Sequence, residues 1–120
     1  MITAMFGKLL SAFRGKPALI KGAGRLEEGQ SKRIELGDVL AGGVAVILCR
    51  VDGELLALDD RCPHEEGRIV AGPLAQGRYA VCPLHNYRFD PRTGAAENAS
   101  CKKARTYRVR EVGGDAEVWV

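Results

Sequence analysis

Histidine and aromatic residues are scarce in this chain, and it lacks a long apolar run. Its 120 residues include only two histidines, and Phe, Trp and Tyr together make up 6% of the sequence. No stretch approaches the roughly 20 consecutive apolar residues that a membrane-spanning helix needs. The net charge is only +3. The scarcity of histidine limits the chemistry most, since a site that uses both histidines leaves none for a second site.

Both histidines lie beside cysteines, in two short motifs. Cys62-Pro63-His64 and Cys82-Pro83-Leu84-His85 are separated by seventeen residues, 65–81. A donor set of thiolates and imidazoles suits zinc, copper or an iron–sulfur centre rather than magnesium or calcium. In zinc fingers with two cysteines and two histidines, each pair usually consists of one residue type. The mixed order in this chain instead resembles a Rieske centre, in which two histidines replace two cysteines on one iron of a [2Fe–2S] cluster.

The residues around both motifs strengthen the resemblance to Rieske-type ferredoxins. Arg61 precedes the first motif, and the run Asn-Tyr-Arg-Phe-Asp-Pro-Arg-Thr-Gly, residues 86–94, follows the second. The resemblance extends from about Gly24 to the C-terminus. It implies one [2Fe–2S] cluster per chain, with the cysteines on one iron and the histidines on the other: Cys62, Cys82, His64 and His85. A zinc-binding structural module built on the same residues is an alternative.

The length of the chain is that of one domain, which buries roughly two thirds of the surface of its unfolded chain. We divide it into an N-terminal helix and linker, residues 1–23, and a Rieske-type domain, residues 24–120. Oxygenases that carry a Rieske module beside a mononuclear iron need two further histidines and a carboxylate. Both histidines are already used here. We therefore expect an electron-transfer protein or a reductase subunit rather than a stand-alone enzyme.

The first sixteen residues carry an apolar stripe. Its members recur at helical spacing: Ile2, Met5, Phe6, Leu9, Leu10 and Phe13. The stretch is too short and too interrupted to span a bilayer, and it lacks the cleavage signal of a signal peptide. We predict a short amphipathic helix packed on the domain. A helix that docks a partner or lies on a membrane surface is the alternative, although membrane contact is not expected.

The remainder of the chain alternates short apolar segments with turn residues, which predicts an all-β fold. Ile34 and Leu36 indicate one strand, and further strands are predicted over 44–51, 54–58, 78–82, 88–90, 106–112 and 116–120. Asp52-Gly53 is a strong signal for a two-residue hairpin turn, and residues 113–115 are expected to join the last hairpin. The predicted architecture is a small antiparallel sandwich or barrel with a loop-rich subdomain that binds the cluster.

The resemblance also bears on redox potential. High-potential Rieske proteins carry an extra cysteine in each loop, which form a disulfide, and a serine and a tyrosine that donate hydroxyl hydrogen bonds. The four matching positions in this chain are Gly67, Leu84, Tyr87 and Phe89. Fewer hydrogen-bond donors stabilise the reduced state less, so we predict a midpoint potential in the low part of the Rieske range. Because the matching positions form no disulfide, we also predict a reducing, cytoplasmic location. His64 and His85 are expected to lie nearest to solvent, where electrons leave.

The other cysteines and the positive charges suggest no second site. Cys49 ends an apolar run and is predicted to be a buried thiol, and Cys101 is interpreted as a core or loop residue. Five cations lie close together near the C-terminus: Lys102, Lys103, Arg105, Arg108 and Arg110. They lack interleaved stacking aromatics apart from Tyr107, so no nucleic-acid partner is expected. A solvated strand face is one interpretation, and a docking patch for an acidic redox partner is the other.

Two electron-transfer roles are compatible with these residues. The first is a free carrier between a flavoprotein reductase and an oxygenase or similar acceptor. The second is the small subunit of an NAD(P)H-dependent nitrite reductase, which would bind the large subunit. The segment from Ser100 to Arg110 is similar to the end of that subunit, although Arg108 stands where proline is usual and Tyr87 where tryptophan is common. We favour the free carrier, and the residues do not set the oligomeric state.

Overall fold

The computed structural model describes residues 16–63 and 67–120, and the strands in these ranges form one antiparallel sheet. The strands are β1 (Ala18–Ile20), β2 (Gln30–Leu36), β3 (Val44–Val51), β4 (Glu54–Asp59), β5 (Val70–Ala75), β6 (Tyr79–Cys82), β7 (Tyr87–Phe89), β8 (Thr106–Val112) and β9 (Asp115–Trp119). Their order across the sheet is β1-β9-β8-β4-β3-β2-β5-β6-β7. Two short 3-10 helices, Ala23–Arg25 and Val39–Ala41, complete the described elements. The all-β prediction is confirmed.

Strand β3 lies near the middle of the sheet and is buried on both faces. Alternate side chains of a strand point to opposite faces. Val46 and Leu48 therefore pack into one core group, with residues of β9 such as Val118. Ile47 and Cys49 pack into the other core group, which also contains both motif cysteines: Cys62 and Cys82. A strand that is covered on both sides explains why the sequence is apolar throughout this segment.

Two tight turns place the strands in register. Asp52 and Gly53 both have positive φ, at 52° and 79°, as a type I′ hairpin requires, and β3 pairs with β4 on either side of them. Gly113 and Gly114 also have positive φ and join β8 to β9. The predicted loop over 113–115 is one residue too long, because Asp115 already pairs with Val112.

Strands β1 and β5 were not predicted, and each has a local reason. The passage predicted as a linker contains β1, whose three residues pair with β9 through Ala18↔Val118 and Ile20↔Ala116. Three residues are too few to show a period. Strand β5 includes Gly72 and Pro73, which are depleted in strands, and its register shifts along β6. The strand is held from the other side by β2.

The predicted N-terminal helix lies outside the described residues. In the part of the chain that the structure does describe, no helix has the length and apolar character needed to cross a membrane.

Candidate metal centre

The two cysteine–histidine motifs lie on loops that belong to the same end of the fold. The first Cys-His loop connects β4 to β5 and is described at residues 61–63 and 67–68. The second, residues 83–86, follows Cys82 at the end of β6 and connects β6 to β7. The first loop is closed by a β-bridge between Arg61 and Arg68 and by a 3.0 Å hydrogen bond from the Cys62 N–H to the Gly67 carbonyl. Asn86 turns the second loop back into β7 with a φ of 55°, a conformation that asparagine tolerates well.

Both motif cysteines are buried free thiols. Cys62 is 5% exposed and Cys82 is 1% exposed, and neither forms a disulfide. Burial raises the pKa of the Cys82 thiol; backbone N–H groups of Leu84 and His85 lower this pKa, and the hydrogen-bonded Cys62 thiol raises it. The Cys82 thiol therefore resists ionisation in the absence of a cation. A bound metal would replace its proton, and N–H donors are already directed at its sulfur.

The second loop carries its histidine toward solvent. His85 is exposed, and its ring centroid lies 5.6 Å from that of Tyr87. The predicted arrangement of buried cysteine and outward histidine thus agrees with the position of His85. His64, the other predicted histidine, lies outside the described residues. Within residues 16–63 and 67–120, no group of three or more His, Cys, Asp or Glu side chains lies close enough to hold one ion.

A family model described as the Rieske [2Fe-2S] domain matches residues 18–112. The chain belongs to this family. The cofactor of a Rieske domain is a [2Fe–2S] cluster, in which each iron takes only two protein ligands. A pair of adjacent buried thiols fits one iron, and a separate surface imidazole fits the other. The predicted cofactor is therefore confirmed, and the donor set of the described residues is compatible with it.

This Rieske domain is similar to ferredoxins of aromatic-ring dioxygenase systems. The naphthalene 1,2-dioxygenase system ferredoxin component of Pseudomonas putida is 37% identical over 86 residues, which cover 64% of this chain and 82% of that protein. The ferredoxin of carbazole 1,9a-dioxygenase from Nocardioides aromaticivorans IC177 superposes with a TM-score of 0.71 at 27% identity, over 86% of this chain and 96% of that chain.

A nitrite reductase relative shares the fold at lower similarity. The putative NADH-dependent nitrite reductase small subunit from Mycobacterium tuberculosis superposes with a TM-score of 0.59 at 19% identity, over 85% of this chain and 94% of that chain. At this identity the likeness establishes a common fold and no more.

Two buried aspartates support the first loop of the Rieske domain, and sequence reasoning missed them. Asp59 and Asp60 are each only 3% exposed. The Asp59 carboxylate accepts hydrogen bonds from the backbone and side chain of Arg61 and, at 2.7 Å, from the Tyr107 hydroxyl. Burial by itself raises the pKa of Asp59, and the bonds from Arg61 and Tyr107 outweigh it, so the pKa lies below its usual range. Asp59 is thus an ionised anchor at the base of the loop.

Asp60 anchors the opposite stem of the same loop. Its carboxylate lies 3.1 Å from Arg68 and 3.1 Å from Arg33 on β2. Its carbonyl accepts a 2.7 Å hydrogen bond from the N–H of Ile69. Each stem of the loop therefore carries one arginine that pairs with one buried carboxylate. The only hint of this role in the sequence was the pair of adjacent aspartates directly before Arg61. A sequence does not show, however, that both carboxylates are buried.

Gly67 brings the two loops into contact. A Cβ atom placed on Gly67 would lie 2.7 Å from the Sγ atom of Cys82 and 3.2 Å from the Cβ of Leu84. The backbone of the first loop therefore lies directly against the buried sulfur of the second. The positions predicted to match the disulfide cysteines of high-potential Rieske proteins, Gly67 and Leu84, do face each other.

We expect Gly67→Ala to lower cluster content, because the added methyl group meets the Cys82 sulfur below contact distance and pushes the loops apart. Iron and acid-labile sulfide per purified chain should fall about tenfold or more, the scale seen when groups that orient metal ligands are altered. Gly77→Ala is the control, since a Cβ at Gly77 meets nothing within 4 Å. Equal iron content in the two variants would contradict the contact.

Proposed function

We propose that this Rieske domain is a one-electron carrier that passes electrons from a flavoprotein reductase to an oxygenase. The observation that supports this most directly is its 37% identity to a dioxygenase ferredoxin component, of which the match covers 82%. Such a relative is a carrier of similar size, with no room for a second catalytic domain. The cytoplasm is the proposed location, because the chain relies on free thiols.

We further propose that Cys62 and Cys82 bind one iron of the cluster and that His64 and His85 bind the other. The burial of both cysteines and the exposure of His85 support this assignment. When bound, the cluster supplies a reversible one-electron couple. The fold excludes water from Cys62 and Cys82 and brings His85 to the surface. Electrons would therefore enter and leave at His64 and His85.

A proline in each loop and the anchored ends of the first loop serve this role. An electron carrier reacts fast when its ligands barely move between oxidation states. Pro63 and Pro83 each directly follow a motif cysteine, and the ring of each proline fixes its own φ. The paired aspartates hold both stems of the first loop. These supports limit the motion that a change of cluster charge would otherwise cause.

We predict a midpoint potential of roughly −150 to 0 mV, the low part of the Rieske range. Gly67 and Leu84 form no disulfide, and Phe89 is fully buried and carries no hydroxyl group. Fewer hydrogen bonds to the sulfurs leave the more negative, reduced state less stable. A redox titration followed by absorption or electron paramagnetic resonance measures the midpoint. A midpoint well above this window would contradict the prediction.

Isolation of the tagged chain from its own host tests the role as carrier. A reductase that reduces the chain, together with an oxygenase that reoxidises it, would support the proposal. A stable complex with a sirohaem-containing large subunit would replace it by the nitrite reductase assignment, which the shared fold also permits. Stoichiometric zinc in a colourless protein, purified without oxygen, would contradict both.

A further inference from the structure

The strongest uncompensated positive charge near the Cys-His loops lies on the basic segment, residues 102–108. Its four cations, Lys102, Lys103, Arg105 and Arg108, are all exposed. Residues 98–110 contain no aspartate or glutamate. Among the described residues, no carboxylate lies within 4.0 Å of these four, whereas Arg110 pairs with Glu117 at 2.8 Å. The carboxylates of the described residues therefore leave the positive charge of this segment uncompensated.

Most other arginines are neutralised by ion pairs. Those with a carboxylate partner include Arg33, Arg50, Arg61, Arg68, Arg88 and Arg92. The arginines of the basic segment instead rest on aromatic rings. Arg105 lies 5.2 Å from the centroid of Tyr107, and Arg108 lies 4.6 Å from that of Trp119. A ring holds a guanidinium in place without cancelling its charge. The two arginines are thus held in position and still able to attract acidic groups.

Two hydrogen bonds place the chain that leads into the basic segment, residues 98–105, against the two Cys-His loops. At residue 98, the Asn98 side chain donates to the carbonyl of Asn86, the neighbour of His85, over 2.9 Å. At residue 105, the Arg105 carbonyl accepts from the N–H of Asp59 over 2.8 Å. The chain between these points runs from the second loop to the base of the first.

The side chains between those two points confirm the placement. Cys101 and Ala104 pack against the core group that contains Cys62 and Cys82. Lys102 and Lys103, which lie between them, are exposed. The two lysines therefore lie on the surface of the core group to which both motif cysteines belong.

The adjacent tip of the second loop is apolar. Leu84 is 52% exposed, and Pro83 and His85 on either side of it are exposed as well. Protein interfaces commonly have an apolar centre and a polar rim. We propose that the basic segment is the rim of a docking surface for an acidic redox partner, with Leu84 at its centre. This inference rests on the proposed function as an electron carrier, and it specifies which face docks and which charge the partner presents.

Reoxidation of the reduced protein by one anionic and one cationic oxidant tests the electrostatic potential at the proposed surface. Each reaction transfers one electron from the protein to hexacyanoferrate(III) or to hexaammineruthenium(III). The products are the oxidised protein and hexacyanoferrate(II) or hexaammineruthenium(II). We expect the rate with the anion to fall as ionic strength rises and the rate with the cation to increase, because salt screens attraction and repulsion alike. The opposite pair of salt dependences would overturn the inference.

The double variant Lys102→Glu/Lys103→Glu identifies the charges responsible. At low ionic strength, its reaction with hexacyanoferrate(III) should be about tenfold slower than that of the unaltered protein, within the range that electrostatic steering covers. The matched control is Lys21→Glu/Lys32→Glu, which changes the same charge beside a cavity of about 360 Å³ on the other core group. The control should change the rate less than about twofold. Equal losses in both variants would mean that only net charge matters.

An acidic polypeptide tests docking itself. Poly-glutamate should bind the loaded protein and slow its reaction with hexacyanoferrate(III), and it should do neither with the Lys102→Glu/Lys103→Glu variant. Unchanged binding to that variant would overturn the assignment of the surface. The midpoint and absorption spectrum of each variant should equal those of the unaltered protein. Because these measurements need no natural partner, failure of the docking surface and failure of the carrier role remain distinguishable.

Discussion

The Cys82→Ser variant is expected to fold but to purify with little iron. A serine hydroxyl has nearly the size of a thiol, so the buried site keeps its shape, but the soft thiolate that iron–sulfur centres require is lost. Iron and acid-labile sulfide per chain should fall at least about tenfold, since even changes to groups behind a ligand cost 10–100-fold. Visible absorption should disappear in parallel. Far-ultraviolet circular dichroism should keep its β-sheet form.

The other two cysteines provide controls in the same chain. Burial raises the pKa of the Cys49 thiol to about 12, so Cys49 offers no thiolate at neutral pH. Cys101 is partly buried and packs against the core group that contains Cys49, Cys62 and Cys82. Cys49→Ser and Cys101→Ser should both retain one cluster per chain, although the first buries a hydroxyl group and costs stability. Full iron content in Cys82→Ser, or its loss in Cys101→Ser, would show that the proposed ligands are wrong.

Gly94→Ala is expected to cause the largest loss of stability among the glycine substitutions. Gly94 has a φ of +81°, and a Cβ at this position would overlap the Ala104 carbonyl oxygen. The Ala104 N–H also donates to the Gly94 carbonyl over 2.8 Å. A methyl group would separate these segments, and the free energy of unfolding should fall by about 3 kcal/mol or more.

Gly113→Ala separates the two causes of that loss. Gly113 also has a positive φ, +57°, but a Cβ there meets nothing within 4 Å. The fall in the free energy of unfolding of Gly113→Ala therefore reports backbone strain alone and should be about 1 kcal/mol. Chemical denaturation of both variants measures the difference. If the two variants unfold at the same denaturant concentration, the close approach of Gly94 to Ala104 does not contribute.

The parts of the fold that were predictable from sequence are those with local signals. The run from Val44 to Cys49 is apolar because β3 is buried on both faces, and Asp52-Gly53 has the residues that a type I′ turn needs. The cofactor was predictable for a similar reason, because each cysteine lies within three residues of its histidine. In each case, the information lies within short segments of the sequence.

The parts that were missed depend on contacts between distant segments. Strand β1 exists because it pairs with β9, nearly a hundred residues later. The hydrogen bond from Tyr107 to Asp59 joins residues 48 positions apart. Periodicity and spacing carry no information about such pairs.

The bond between Tyr107 and Asp59 also sets an order of assembly during synthesis. The first Cys-His loop is made long before β8, yet its base is completed only when Tyr107 and the carbonyl of Arg105 reach Asp59. A ribosome-bound chain that ends before residue 105 has both cysteines but lacks these contacts. The first Cys-His loop therefore gains its full support only once β8 has docked beside β4.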